Sequence, residues 1–582
     1  MKRMRQLAVL FALVGLATAA ILGDSSELKA SYDFIIVGGG PGGATTAHRL
    51  SESSRARVLL LEAGGANDGV LAIDVPQLCV ALTPSTPWDW NYTTVPQAHA
   101  DGRTLPFPRG IGLGGTSAVN CLVYTRGTHS DVDAWASLSG DASWGWDGVL
   151  PYFKKSEKFN LPVDEHNVTG QFLPSVHGFD GVIGVSVPGA ARATDGRVIA
   201  VTREVNEFPF QVDMNSGEHL GVGWTQALVD RGVRSSSKAY LSPGVLARPN
   251  LDVLLNARVA RVLPTDRSLT FRTVQFREGI SGALKNLTAK REVVLSAGAV
   301  GSPTILMHSG IGDAAHLTSL GIPVHLDNPS CSITYATNST QTLDNLWRNE
   351  TYYASLLAEW HASKTGLLVD TSENQVAWLR LADDDPIWAT EPDPASGPTT
   401  AHFEFLFQNG LYPTNPTGHY FNLPVGAVSP ASRGSITINS SDPFAAPLID
   451  PNILSAPIDL YIARQGIKAG MRFLSARAWD GYFTGPLQDL TDDDAIDAFI
   501  RAHAVSFFHP VATAAMSPVN ASWGVVGPDL LVKGVQGLRI VDASVVPRLP
   551  AAHTSAATYG VAEKAADIIK VAHPDLFGRS TE

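Results

Sequence analysis

Hydrophobic positions follow two different rhythms along this chain. Phe34 to Val37 is a short, largely β-branched run ending at glycines, which predicts a buried strand. Ala44, Ala47 and Leu50 then recur at helical spacing, and Val58 to Leu61 forms a second strand ending at Glu62. Far downstream the period shortens. In "AHFEFLFQ", Ala401, Phe403, Phe405 and Phe407 alternate with Glu404 and Leu406, predicting a strand buried mostly on one side. "GSITINSS" predicts another short strand after a turn, and one antiparallel sheet would account for both. The chain shows no internal repeat and no low-complexity tract.

Between the first strand and the helix, Gly38, Gly40 and Gly43 satisfy G-x-G-x-x-G. Gly38 suits a tight turn, Gly40 a close backbone approach to a pyrophosphate, and Gly43 close packing of helix on strand. Unpaired N–H groups at the helix start face the phosphates, and Glu62 can accept ribose hydroxyls. With both strands, the helix and the acid in place, the stretch predicts a dinucleotide site; it does not separate NAD from FAD. "PFPRGIGLGGTSAVNCLVYTRG", Pro106 to Gly127, suits a second close approach to an extended cofactor, or is simply a glycine-rich loop.

Composition narrows the partners. With 582 residues, 44% hydrophobic and 17% charged, the chain is globular and long enough for a large core. A formal net charge of −12 without a basic cluster beyond the first residues excludes a polyanion-binding surface, so nucleic acid is not an expected partner. Lys2, Arg3 and Arg5, the apolar run Leu7 to Leu16, and Ala17-Thr18-Ala19 predict a signal peptide over 1–20 and a secreted, extracellular protein with no membrane span. Sequons at Asn91, Asn167, Asn286, Asn338, Asn349, Asn439 and Asn520 agree with export and glycosylation, although Asn91, set among aromatics, is expected to be buried. Cys79, Cys121 and Cys331 allow one bridge at most and rule out a disulfide framework or a zinc site.

Four motifs in order resemble the glucose–methanol–choline (GMC) FAD oxidoreductases: the N-terminal fingerprint, "RGIGLGGTSAVN" from Arg109, "GSPTILMHSGIG" from Gly301, and "HPVATAAM" with "GLRIVDASVVPRLPAAHTSAATYGVAEKAADII". Within the family the chain looks most like fungal aryl-alcohol oxidases, through "WDWNYTT", "SSSKAYLSP" and "ASWGVVGPDLLVKGVQGLRIVD". The resemblance implies an α/β fold with an α+β substrate part. A discontinuous Rossmann-type FAD-binding domain would span 31–330 and 502–575. An antiparallel-sheet substrate domain would span 331–501, with contributions from within 150–230. It implies Gly38, Gly40, Pro41 and Gly43 along the pyrophosphate, Glu62 at the adenosine ribose, Thr116 and Asn120 near pyrophosphate and flavin, and Val259 at the adenine. Asp542, Ala543, His553 and Thr554 would close over the ribityl chain and ring. Val119 stands where some sugar-oxidising relatives carry a flavin-linked histidine, which implies non-covalent FAD.

The resemblance also gives "FFHPVATAAM" its meaning. Oxidising an alcohol removes a hydride from carbon and a proton from oxygen, and neutral imidazole suits the proton. His509 is the candidate base and His553 its partner on the same hydroxyl. Tyr92, Phe508, Tyr412 and Phe507 are candidate substrate-lining rings, Tyr92 and Phe508 before the other two. Together they imply an aromatic or allylic primary alcohol oxidised to an aldehyde, with O2 or a quinone as acceptor and hydrogen peroxide when it is O2. A quinone-dependent sugar dehydrogenase, a hydroxynitrile lyase and an inactive flavoprotein are the competing expectations. Two departures from the family bear on these. Alanine replaces the usual glycine at Ala512, tolerable unless the backbone there has positive φ. After Ser330 a segment of roughly ten residues with an Asp-His element is missing, so either another segment walls the pocket or FAD retention and activity are lost.

Overall fold

The computed structural model describes residues 21–265, 268–312, 323–324, 327–411 and 417–578. The 1–20 segment and Tyr412 lie outside the described residues. Two large sheets organise the chain. The first is eight-stranded and runs Ile21–Leu22, Leu251–Leu254, Val58–Leu61, Tyr32–Val37, Lys285–Leu295, Phe271–Glu278 and Ala257–Pro264, with Leu538–Ile540 also pairing to Lys285–Leu295. Its inner strands pair in parallel, and Tyr32–Val37 and Val58–Leu61 are buried along their whole length. Parallel strands covered on both faces need continuous apolar runs, which is what these segments supply. Helices Pro41–Leu50 and Ser555–Ala572 pack beside this sheet, and their buried positions join its core.

The second sheet is seven-stranded and antiparallel, ordered Phe483–Pro486, Pro329–Thr337, Tyr420–Ala427, Phe403–Gln408, Glu373–Leu379 and Gly221–Trp224, with Val505–Ser506 added at one end of Pro329–Thr337. The alternation in "FEFLFQ" has a use on each face. Phe403, Phe405 and Phe407 join one core with Ile458, Ile462, Ile467 and Phe473 of helix Pro457–Leu474. A Cβ at Gly466 would lie 2.7 Å from Val425 Cγ1, so glycine there lets the helix settle on the sheet. Leu406 belongs to a separate cluster on the opposite face. This strand is therefore buried on both sides, and its polar face turns toward the cavity described below. The strand Gly434–Thr437 does not join this sheet; it forms a three-stranded sheet with Pro323–Val324 and Leu448–Asp450.

After Ser330 the chain enters the second sheet directly, since Pro329–Thr337 is already a strand paired with Tyr420–Ala427. Cys79 and Cys121 form the one bridge, and Cys331 is a buried free thiol. All seven sequon asparagines are solvent-exposed. That includes Asn91, contrary to expectation: its backbone takes φ 55°, and its neighbours Trp90 and Tyr92 stack on each other instead of over it.

Candidate active site

One cavity of about 540 Å³ runs from the first sheet's strand ends to the underside of the second sheet. Gly38, Gly40, Pro41, Glu62, Thr116, Asn120 and Val259 line it together with Asp542, Ala543, His553 and Thr554. Glu62 is buried and already oriented, because Gly39 N, Gly64 N and Gly112 N all donate to its carboxylate, at 2.7, 2.8 and 3.0 Å. Gly38 has φ 102°. Gly43 keeps the packing role expected from the fingerprint but not the place along the pyrophosphate that the resemblance implies. It does not line the cavity but packs behind it, where a Cβ would lie 1.9 Å from Gly38 O; Gly42 lines the cavity instead. Asp542 closes the far side: its carboxylate accepts from Gly298 N at 2.9 Å, Ser302 Oγ at 2.6 Å and Ser544 N at 2.8 Å, and burial raises its pKa. A helix start, a fixed carboxylate and a long channel between them fit a dinucleotide whose far end reaches the histidines.

At that end the two histidines come together. Their rings lie 4.7 Å apart at 72°, and Phe507 packs edge-on against His509 at 5.3 Å and tilted on His553 at 5.8 Å. His553 N donates to Thr125 Oγ1 at 2.9 Å. His553 Nε2 lies 3.3 Å from Glu404 Oε1, a charge contact without hydrogen-bond alignment, and Glu404 is fully buried behind it. Trp378 meets His553 edge-on at 6.1 Å, and His219 stacks on Trp378 at 4.9 Å. Burial, then His553 and Arg109, hold the His509 pKa well below the ordinary imidazole range. His509 is therefore neutral near pH 7. His509 Nδ1 and His553 Nε2 have no hydrogen-bond partner among the described residues.

The aromatic residues divide. Tyr92 lines the cavity but stacks on Trp90 at 5.8 Å and packs with Phe107, Val300 and Met307; burial pushes its phenol up to about 12. Phe508 is 38% exposed, so it is the solvent-facing ring of its pair, while Phe507 is the ring that touches both imidazoles. Ala512 has φ 62°, so the position where relatives use glycine does need positive φ here.

Sequence reasoning missed a polar row across the second sheet. Thr334 Oγ1 donates to Asn422 Oδ1 at 2.8 Å, Asn422 Nδ2 to Gln408 Oε1 at 2.8 Å, and Gln408 Nε2 to Glu373 Oε2 at 3.4 Å. These residues are cross-strand neighbours. Gln408 and Glu373 line the cavity with Ser330, Ser332 and Ser372, and burial raises the Glu373 pKa. The strand Pro329–Thr337, which directly follows the point where a segment was expected, contributes Ser330 and Ser332 to this wall. One signal for this row was visible: a glutamate and a glutamine inside an otherwise apolar strand.

A glycine-rich dinucleotide cradle opening onto an imidazole pair defines a redox enzyme acting on a small molecule. Comparison with known proteins agrees. GMC oxidoreductase family models match residues 32–328 and 430–562, and the chain belongs to this family. It is 40% identical to a pyranose dehydrogenase of Agaricus campestris over 92% of this chain and 93% of that one. It is 37% identical to the dehydrogenase eriK of Hericium erinaceus over 98% and 99%. Its fold matches a formate oxidase variant of Aspergillus oryzae, 27% identical with TM-score 0.85 over 94% and 100% of the two chains. It also matches a fungal aryl-alcohol oxidase, 27% identical with TM-score 0.79 over 93% and 99%. The protein is an FAD-binding oxidoreductase acting on CH–OH donors. Its stronger sequence likeness to pyranose dehydrogenases than to this aryl-alcohol oxidase reorders the expected substrates.

Proposed function

We propose that this protein oxidises an alcohol to a carbonyl compound at the His509–His553 pair, and that the alcohol is polyhydroxylated. FAD, held non-covalently, supplies the hydride acceptor. His509 takes the hydroxyl proton, since burial keeps its imidazole unprotonated. His553 hydrogen-bonds the same oxygen, and the Glu404 carboxylate behind it stabilises any positive charge the ring acquires. Phe507 limits water at the reacting carbon and fixes the ring-to-ring angle. The imidazole pair carries the reading: two rings at 4.7 Å that both line one cavity, His509 buried and His553 partly so.

The polar row supports the substrate class. A wall of serine, glutamine and glutamate side chains offers polar partners to distal hydroxyls, which a plain aromatic alcohol would not use. The pyranose dehydrogenase likeness supports the same choice. A second reading, an aryl-alcohol oxidase releasing hydrogen peroxide, is supported by Phe507 and Phe508 beside the base. Anaerobic flavin bleaching with glucose and with p-methoxybenzyl alcohol separates the two. Faster bleaching by the sugar is expected; bleaching by the aromatic alcohol alone would favour the second reading. Peroxide formed in air then distinguishes O2 from a quinone as acceptor. Export of the protein is proposed from the exposed sequons, the disulfide and the N-terminal apolar run. A mass loss on enzymatic deglycosylation of secreted protein is the expected result.

A further inference from the structure

Three parts of the chain hold the turn that carries His509. Phe507 N donates to Asn328 O at 2.7 Å, Arg109 Nη2 donates to Phe508 O at 2.6 Å, and His509 N donates to Asp327 Oδ1 at 2.8 Å. Phe508 N also donates to Ser506 Oγ at 2.9 Å. Phe508, between these bonds, has φ 66°. That left-handed conformation is unfavourable for a bulky residue and persists only where its surroundings over-determine it. The holders are not incidental. Asp327 and Asn328 are the last residues before the strand Pro329–Thr337, at the joint between the two sheets. Arg109 begins the glycine-rich segment, and Gly110, Thr116 and Asn120 of that segment line the cofactor cavity.

Both holders carry charge where charge is expensive. Asp327 is buried, and burial pushes its carboxyl up to about 6; burial likewise pushes half-buried Arg109 down to about 10, with Asp327 and Asp89 opposing. A neutral pair of hydrogen-bonding residues would hold a turn at lower cost.

We propose that Arg109 and Asp327 are positioning residues for the base, holding the left-handed Phe508 turn so that the His509 ring is aimed into the cavity against His553. This rests on the reading of His509 as the proton acceptor. Arg109 has a second effect through its charge. Among the described residues, the charged and titratable groups facing His509 are His553 from the segment before helix Ser555–Ala572, Arg109 from the glycine-rich segment, and Asp327 from the joint. Glu404 on the second sheet faces His553. Arg109 is the fixed cation of this set, so it disfavours protonation of His509 and preserves the proton-accepting form.

The test uses the flavin-loaded full-length protein with Arg109→Met, Arg109→Lys, Asp327→Asn and Asp327→Ala. Flavin reduction by alcohol is followed anaerobically against pH, and the His509 resonance is titrated in 13C-histidine-labelled protein without alcohol. Arg109→Met is expected to slow reduction by about tenfold to a hundredfold, to move its acid limb and the His509 titration to higher pH, and to leave the flavin spectrum unchanged. Arg109→Lys keeps the charge but not the guanidinium geometry, so its rate falls while the limb stays. Asp327→Asn still offers an oxygen to His509 N–H and remains within a few-fold of wild type, while Asp327→Ala slows like Arg109→Met. Wild-type rates and limbs in Arg109→Met and Asp327→Ala would overturn the proposal. So would slower rates with an unmoved limb and an unmoved His509 titration, which would make the pair merely structural. If Arg109→Met does not fold, Arg109→Lys and the Asp327 variants decide the matter. If no alcohol bleaches even the wild type, the base reading of His509 fails on its own, and the histidine titration still judges the Arg109 charge.

Discussion

The two large sheets place chemistry in opposite ways. In the parallel part of the first sheet the working groups sit past the strand ends, Gly38 and Gly40 after Tyr32–Val37, Glu62 after Val58–Leu61, and Asp542 after Leu538–Ile540, while Val259 lies within Ala257–Pro264 of the antiparallel arm. The strands themselves are apolar because helices or other structure cover both faces. In the antiparallel sheet the working groups sit within strands, on one face: Glu404 and Gln408 on Phe403–Gln408, Glu373 on Glu373–Leu379, and Asn422 on Tyr420–Ala427. Parallel sheets offer a ligand their ends, whereas an antiparallel sheet offers it a surface. A cofactor cradle built from turns tolerates a variable roof, so one cofactor end can serve many alcohols.

Four substitutions would sharpen or break this contrast. His509→Ala has the largest expected effect: flavin reduction falls by about 10²–10⁴-fold while the flavin spectrum stays, because only proton acceptance is lost. In the wild type, His509 is held below the ordinary imidazole range, so the reduction plateau should persist below pH about 6.5 before the acid limb begins. Stopped-flow reduction against pH checks both expectations.

Next comes a stability effect on the cofactor side. His177 is fully buried between Glu157 Oε1 at 2.8 Å and Asp213 Oδ2 at 2.9 Å, and Arg126 pairs with Glu157. Burial works against its charge, but the bonds to Asp213 and Glu157 outweigh it and raise the His177 pKa. A raised folded-state pKa contributes stability below the unfolded value and loses it as pH rises through the folded value. Denaturant midpoints should therefore fall on the alkaline side. His177→Ala should cost about 3–5 kcal/mol by leaving buried carboxylates without their partner. An unchanged midpoint would show the cluster to be energetically neutral.

On the substrate side, Glu404→Gln removes the carboxylate behind His553 and should slow reduction by about tenfold without loss of bound FAD. Loss of FAD with it would mean that the roof supports the cradle, against the division drawn above. The smallest effect is Ala512→Gly. With φ 62° the alanine is strained, and glycine should stabilise by about 0.5–1 kcal/mol. Urea unfolding measures it; a loss of stability would mean that packing of the buried methyl outweighs the strain.

Legibility followed the same division. The dinucleotide site was readable because its requirements are local: a glycine where a Cβ would strike a neighbouring carbonyl, and an acid at the end of the next strand. The spacing also assigned Gly43 to helix–strand packing; it did not show that Gly42 would line the cavity. The imidazole pair was readable only through its motifs; nothing between Phe508 and Ala552 shows that the chain returns to place His553 against His509. The importance of Phe507 over Phe508 depends on a left-handed turn at Phe508, and no residue type announced that turn.

By itself, the amino-acid sequence determined the paired strands, the glycine-rich turn with its carboxylate, the globular acidic composition and the residues able to move a proton, because each depends on neighbours within a few dozen positions. The tertiary structure decided the rest. Cross-strand register set Glu373, Gln408, Asn422 and Thr334 in one row, and the fold placed Glu404 behind His553. It brought Arg109 and Asp327 to the His509 turn from 399 and 182 positions away, and it made the strand Pro329–Thr337 part of the cavity wall. A strand's period tells which residues share a face, but only its partners determine which face meets the ligand.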